Sequence, residues 1–215
     1  MTLNRENWID AGWSLLAGKG VEAVKVEVLA RQLKVSKGSF YWHFKNRQEL
    51  LEAILQRWED ETMEVIQRSP VLADTPRERL FKLFALIEEL CEKPDPETAI
   101  FQWANQDEAV QQRVHTLETR RVNYLSQLFQ DCGFDETEAR HRAEVAYFAF
   151  MGFADRRERD SKFDLKMGEF NNFLLSLLLS PRTSLERSRE KTLNIDERPR
   201  AAKRRKGTRE LNSEQ

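Results

Sequence analysis

Ser36-Lys37-Gly38-Ser39-Phe40-Tyr41-Trp42-His43-Phe44-Lys45-Asn46-Arg47 is a short run crowded with aromatic and hydrogen-bonding side chains. Phe40 and Phe44 stand one helical turn apart, so both face inward and leave Lys37, Ser39, Tyr41, Trp42 and His43 largely outward. Just before it, Val26, Leu29, Ala30 and Leu33 fall at i, i+3, i+4 and i+7, the apolar stripe of another short helix. The small Ala30 sits where a crossing helix has to come close, and Lys34 to Ser36 makes the turn. Two short helices joined this way, the second with a polar and aromatic outer face, form a helix-turn-helix suited to a DNA groove. Lysine and hydroxyl groups suit phosphate oxygens, Ser39 and His43 can bond base edges, and the aromatic faces can pack on thymine methyls or sugars. Helices joined by short turns also occur in any bundle, so this spacing alone leaves plain core packing open.

The next segment narrows the reading. Asn46 and Glu49 form an N-cap and N3 pair that opens a helix without Pro or Gly to about Ser69. At 1.5 Å per residue it is roughly 35 Å long, enough to join a small head to a separate body. Over residues 5 to about 60 the chain resembles the TetR family of transcriptional regulators. The likeness rests on Gly38-Ser39-Phe40-Tyr41-Trp42-His43-Phe44 followed by Lys45-Asn46-Arg47, which matches the family's run at the end of its helix-turn-helix almost residue for residue. Two positions depart from the pattern. Lys34 stands where many members carry Gly, and a left-handed lysine there costs about 1–2 kcal/mol. Lys25 and Val26 replace a frequent Thr cap, a loss of about 1 kcal/mol. Neither is large enough to undo the motif. The DNA contacts are therefore expected from Ser36, Lys37, Gly38, Ser39, Tyr41, Trp42 and His43, with Lys25, Lys45 and Arg47 anchoring phosphates.

Composition fits an all-α protein. The 215 residues include only 8 Gly and 6 Pro, so there are few places to break a helix. Cys91 and Cys132 have no metal-ligand spacing and lie in helical apolar contexts, as reduced thiols of a cytoplasmic protein do, with a redox pair as the alternative. The N-terminus carries no charged-then-apolar leader. The longest strongly apolar run, Phe173 to Leu179, is far too short to span a bilayer, so a soluble chain is expected. The net charge of −1 hides a division: +4 over residues 1–47, −10 over 48–180 and +5 over 181–215. Basic ends on an acidic body confine nucleic-acid contact to part of the surface.

Helix punctuation continues through the body. Thr75-Pro76 with Glu78 is a capping box with Pro at N1, opening a helix to about Lys93. Asp95-Pro96 opens another across Ile100, Phe101 and Trp103. Asp107 begins a long helix to Cys132, stopped by Gly133; Asp135 and Glu138 cap the next, to about Arg159; Asp164 starts the last, which ends before Pro181. With three helices in the head and the connecting helix, about nine are predicted. The expected division is a DNA-binding head at 1–47, a helical effector-binding and dimerisation domain at 48–180, and a basic, disordered tail at 181–215. In the tail, Lys203, Arg204, Arg205 and Lys206 either add sequence-independent attraction to DNA or form a solvated extension.

On the last two body helices, Ala139, Ala143, Ala146, Phe150 and Phe153 share one side, and Phe170, Phe173, Leu174, Leu177 and Leu178 another. Either stripe can face its own core or a second copy. TetR-like proteins dimerise through such a pair, which implies a homodimer, two recognition helices in successive major grooves of double-stranded DNA, and a near-palindromic operator. The resemblance also implies a pocket for a small-molecule effector in the body. Its candidate lining is Trp58, Phe81, Phe84, Glu88, Phe101, Trp103, Leu117, Arg120, Tyr124, Tyr147 and Met151, though each such residue is more often plain core or surface. Arg120 and Arg121 can pair with an anionic effector or with Glu118 and neighbouring acids. Catalysis finds little support: His115 and Glu118 share a helix face and His141 lies apart, but no third metal ligand, phosphate-cradling Gly loop or nucleophile elbow accompanies them. No cofactor or metal is expected. The chain reads as a sequence-specific regulator, a repressor released by its effector, the alternative being a DNA-binding or architectural protein controlled by a partner protein.

Overall fold

The computed structural model of the chain describes residues 3–69, 73–91, 96–160 and 162–181. Among them are nine α-helices, one 3₁₀ turn (Val21–Ala23) and no strand. The helices are α1 (Arg5–Lys19), α2 (Val26–Gln32), α3 (Lys37–Tyr41), α4 (Arg47–Arg68), α5 (Pro76–Leu90), α6 (Glu97–Ala104), α7 (Glu108–Asp131), α8 (Glu136–Arg159) and α9 (Met167–Leu178). Chain contacts group the described residues through Leu179 as one unit. The tail expectations for residues 182–215, the Asp95 cap and the Lys93 helix end fall outside the described residues.

Most helix starts follow from their caps. Asn4 and Asn7 form a reciprocal capping box on α1, with bonds of 3.0 and 2.9 Å. The Asn46 side chain accepts from the Glu49 N–H at 2.9 Å, and Glu49 reaches back to the Lys45 N–H at 2.7 Å. Thr75, Asp107 and Asp135 cap α5, α7 and α8 in the same way, and Gly133, at φ +95°, closes α7. The last helix departs from expectation. It begins at Met167 rather than near Asp164, and its N-cap, Lys166, makes no side-chain bond. Burial of Met167 and Leu174 fixes that start, whereas Leu165 remains exposed.

Two apolar cores share the helices. The first gathers α1–α3 and the N-terminal half of α4 around Trp8, Phe40 and Phe44, and it continues into Ile100 and Trp103 of α6 and Val110, Val114 and Leu117 of α7. Trp8 meets Phe40 edge-on at 5.2 Å and Phe44 stacks on Phe40 at 5.4 Å, the geometry that aromatic quadrupoles favour. α1 and α4 cross closely because Gly12 has no side chain: a Cβ there would lie 2.7 Å from Ile54 Cδ1. The second core joins α5, the C-terminal half of α7, α8 and α9 around Leu80, Phe129, Ala143 and Leu175. Buried Arg142 closes it, pairing with Glu138, donating to the Leu178 carbonyl at the end of α9 and lying 3.8 Å over the Phe134 ring.

The turn between α2 and α3 carries a measurable cost. Lys34 has φ +58°, the left-handed conformation that glycine adopts freely and L-residues pay for. Lys34→Gly is expected to stabilise the protein by up to about 1 kcal/mol, because relief of the clash exceeds the extra chain entropy of glycine. Urea denaturation of both forms measures it, and Lys34→Ala should give no such gain.

Candidate nucleic-acid interface and ligand cavity

α3 spans five residues, with Ser36 at its N-cap and Trp42 at its C-cap. Burial of Phe40 and Phe44 orients it, and the outer face that results is aromatic. Tyr41 is 60% exposed and Trp42 88%. Ser36, Lys37 and Gly38 are also exposed, while Ser39 and His43 are half-buried. His43 lies beyond the helix, so the candidate readout surface is a short helix and the turn after it. Lys37 Nζ pairs with Glu27 Oε1 at 2.7 Å across the two helices, and Glu27 is held below the usual carboxylate range by the hydrogen bond from Lys37. Exposed ion pairs of this kind are weak and exchange readily for a phosphate. Lys25 and Lys45 are exposed at the edges of this face.

Arg47 occupies a different position. Its Nε donates to the Val24 carbonyl and its Nη2 to the Val21 carbonyl, both at 2.6 Å, so it ties the start of α4 to the segment before α2. That role orients the helix-turn-helix and leaves Arg47 half-buried.

A cavity of about 430 Å³ opens between α4, α5, α7 and α8, within the roughly 300–1,000 Å³ range of small-molecule sites. Of the residues expected to line it, Trp58, Phe84, Tyr124 and Tyr147 do so. The others are elsewhere. Phe101 packs edge-on behind Trp58 at 6.2 Å, and Trp103 and Leu117 are buried in the first core. Phe81 and Met151 pack on the second core, and Arg120 faces solvent. Glu88 turns toward Gly168 of α9, with its carboxylate 3.0 Å from where a Cβ would stand. Sequence reasoning passed over Glu97, Thr62 and Phe150, all of which line the cavity.

The polar heart of the cavity is Arg121. It pairs with Glu97 of α6, donates from Nη2 to Thr62 Oγ1 of α4 at 2.8 Å and lies 5.7 Å over the Trp58 ring. Burial alone would lower its affinity for its proton, but the charge and hydrogen bond of Glu97 outweigh that and raise it further. Beside it, the Tyr147 hydroxyl donates to Glu118 Oε1 at 3.0 Å, and burial pushes this phenol upward, against the pull of Arg121. Trp58 Nε1 and the Tyr124 hydroxyl are covered in the wall without a hydrogen-bond partner.

Dimer expectations divide as well. Ala139, Ala143 and Ala146 have no exposed surface and Leu174 is buried: these residues let α8 and α9 pack within their own subunit, which corrects their assignment to a partner surface. Phe150 lines the cavity. Phe173 and Leu177 do face outward, 70% and 61% exposed, and so do Val145 and Phe148 of α8, which the sequence reading had not singled out.

Arg121→Met would take from the Glu97 carboxylate the guanidinium it faces, in a site where the two side chains keep only 18% and 19% of their surface. The expected loss is about 3 kcal/mol of stability, with part of it recovered in Arg121→Met/Glu97→Met, because replacing both partners removes the half-buried charge that has lost its guanidinium. Urea denaturation of the single and double variants decides this; equal loss in both would mean that packing, not charge, holds the site.

Comparison with known proteins bears first on the head. Residues 9–54 match the model of the bacterial regulatory proteins of the tetR family. The class D tetracycline repressor of Escherichia coli is 40% identical over 52 residues, 24% of either chain. The HTH-type transcriptional regulator YuxN of Bacillus subtilis is 33% identical over 88 residues, 40% of this chain and 30% of its own. The matched region thus spans only about a quarter to a third of these relatives. Over a longer span, a TetR-family transcriptional regulator from Streptomyces coelicolor superposes with a TM-score of 0.70 at 12% identity, covering 81% of this chain and 87% of that one. Residues 9–54 are thus a tetR-family helix-turn-helix, and the chain shares its overall fold with TetR-family transcriptional regulators.

Proposed function

We propose that the protein is a cytoplasmic repressor that binds a near-palindromic operator as a homodimer and leaves it when a small molecule fills the cavity. One observation carries the DNA-binding part: Tyr41 and Trp42 stand exposed at the tip of a head whose stability rests on other aromatic residues, Trp8, Phe40 and Phe44. Lys37, Ser39, Tyr41, Trp42 and His43 read the groove, Ser36 and Gly38 let the backbone approach, and Lys25 and Lys45 anchor phosphates. A head at 1–47, a body at 48–180 and a basic tail at 181–215 divide the work. Val145 and Phe148 of α8 and Phe173 and Leu177 of α9 are exposed apolar side chains that a second copy would cover. The chain acts by binding; no chemical step is assigned to it.

Release follows from the way α4 is held. Arg121 links α4 to α6, and Arg113 of α7 holds Glu59 of α4 at 2.7 Å and Glu52 at 2.6 Å. α6 in turn packs on α1 of the head. A ligand that pushes the cavity half of α4 away from α7 therefore tilts the head and changes the spacing of the two recognition helices. Its effect on DNA affinity equals its preference for the tilted setting. The repressor's name among the relatives supports the sign of regulation, and control by a partner protein is the competing reading.

Selection of random duplex DNA on the purified protein, with Tyr41→Ala/His43→Ala in parallel, tests the reading. The wild type should enrich a palindrome that the double variant fails to enrich. Binding without enrichment, unchanged in the variant, would transfer the attraction to non-specific electrostatics and overturn the recognition surface.

A further inference from the structure

An acid stands on the outer face of the head, where DNA-binding surfaces are usually basic. Lys37 is the first residue of α3 and Glu27 lies in the first turn of α2. The Lys37 Nζ and the Glu27 Oε1 are 2.7 Å apart, and both side chains keep more than half of their surface. In a helix-turn-helix the N-terminal residues of the second helix meet base edges, while the first helix crosses the sugar-phosphate backbone. Whatever Lys37 touches from there, the Glu27 carboxylate is beside it. The hydrogen bond from Lys37 holds Glu27 below the usual carboxylate range, so at neutral pH its carboxylate only accepts. An exposed ion pair contributes little to the fold. What this one presents outward is a donor and an acceptor side by side.

The hydrogen-bond inventory fixes what such a combination fits. A lysine ammonium has three N–H donors. Glu27 takes one, two remain, and the carboxylate has lone pairs left for a further donor. In the major groove guanine offers two neighbouring acceptors, N7 and O6, and its cytosine partner offers the N4 amino donor next to them. Adenine offers a single acceptor beside a donor, and the thymine O4 that follows is an acceptor a carboxylate would repel. The G·C edge therefore satisfies both side chains at once. A phosphate answers only the lysine: when Lys37 leaves for it, Glu27 is stranded beside the negative backbone, and like charges at that range repel.

We propose that Lys37 and Glu27 read one G·C base pair in each half-site as a unit, Lys37 donating to guanine and Glu27 accepting from cytosine, so that the carboxylate turns a phosphate-binding lysine into a specificity-determining one. This assignment rests on the reading of α3 as the recognition surface and deepens it by naming the base pair. Lys25 and Lys45, exposed at the edges of the same face, are left for phosphates.

Selection of random duplex DNA on the full-length protein tests this with the wild type, Glu27→Gln, Lys37→Gln and Glu22→Gln, all at exposed positions. The wild type should fix a G·C pair that Glu27→Gln and Lys37→Gln each relax while the other positions stay as they were. Glu22→Gln removes the same charge from the 3₁₀ turn before α2 and should relax nothing. In fluorescence anisotropy, replacing that G·C pair by A·T should weaken wild-type binding about tenfold and Glu27→Gln binding less than about threefold. On random-sequence duplex Glu27→Gln should bind about threefold more tightly than the wild type, because its lysine is free for phosphate. The same gain on the operator as on random duplex would mean that Glu27 is a repelling charge alone and would overturn the base-pair assignment. The reversed pair, Glu27→Lys/Lys37→Glu, keeps a bridge between the two helices but exchanges donor and acceptor; it should lose the G·C preference, and retention of it would reduce the pair to a brace and overturn its reading role. A palindrome that Tyr41→Ala/His43→Ala fails to enrich but Glu27→Gln enriches unaltered would leave the recognition surface standing and remove the pair from it. No enrichment by the wild type would overturn both.

Discussion

One helix has to satisfy two environments at once. α4, 22 residues and about 33 Å long, buries Leu50, Leu51, Ile54 and Leu55 in the core of the head, then passes Trp58 and presents Thr62, Val65 and Ile66 to the cavity. An α-helix is stiff over that distance, so neither half can move alone. Whatever shifts the cavity half must also move the head, so a displacement at one end of α4 is carried to the other.

Magnitudes decide where such a movement would occur. Each large apolar side chain buried in the head contributes roughly 1.5–3 kcal/mol, and Trp8, Phe40, Phe44 and Leu16 are all fully covered. The contacts that fix α4 against α7 are of another kind: ion pairs from Arg113 to Glu52 and Glu59 and a hydrogen bond from Arg121 to Thr62, with part of their surface still in water. Pairs of that sort lose less when they exchange partners than a core loses when it opens. The head therefore moves as a body, and adjustment falls on the polar seam. α6 makes that seam effective, since Ile100 and Trp103 belong to the core of the head while Glu97, at the start of the same helix, holds Arg121.

The sequence revealed what is written in local chemistry. Asn46, Thr75, Asp107 and Asp135 each announce a helix start through a side chain that caps its own backbone, and each helix begins there. Asp164 carried the same signal without effect, because burial of Met167 chose a different start. The candidate site was less legible. Arg120 and Arg121 differ by one position, which on a helix is about 100° of rotation, and only packing decides which one points inward. The alanine stripe of α8 shows the same ambiguity: small residues announce a close neighbour but not whose neighbour it is, and here it is the subunit's own. Glu97 and Thr62 lie on helices far apart in sequence from Arg121, so no spacing rule could have joined them.

The five tryptophans of the chain fall into unlike surroundings. Trp42 stands in water at the tip of the head, Trp13 and Trp58 line the cavity beneath the guanidinium groups of Arg57 and Arg121, and Trp8 and Trp103 are sealed in the first core. An indole in water emits at longer wavelength than a buried one, and a neighbouring cation alters its intensity. The molecule thus carries separate optical reporters at its two ends, and the colour of the change in its own emission tells which end has been touched.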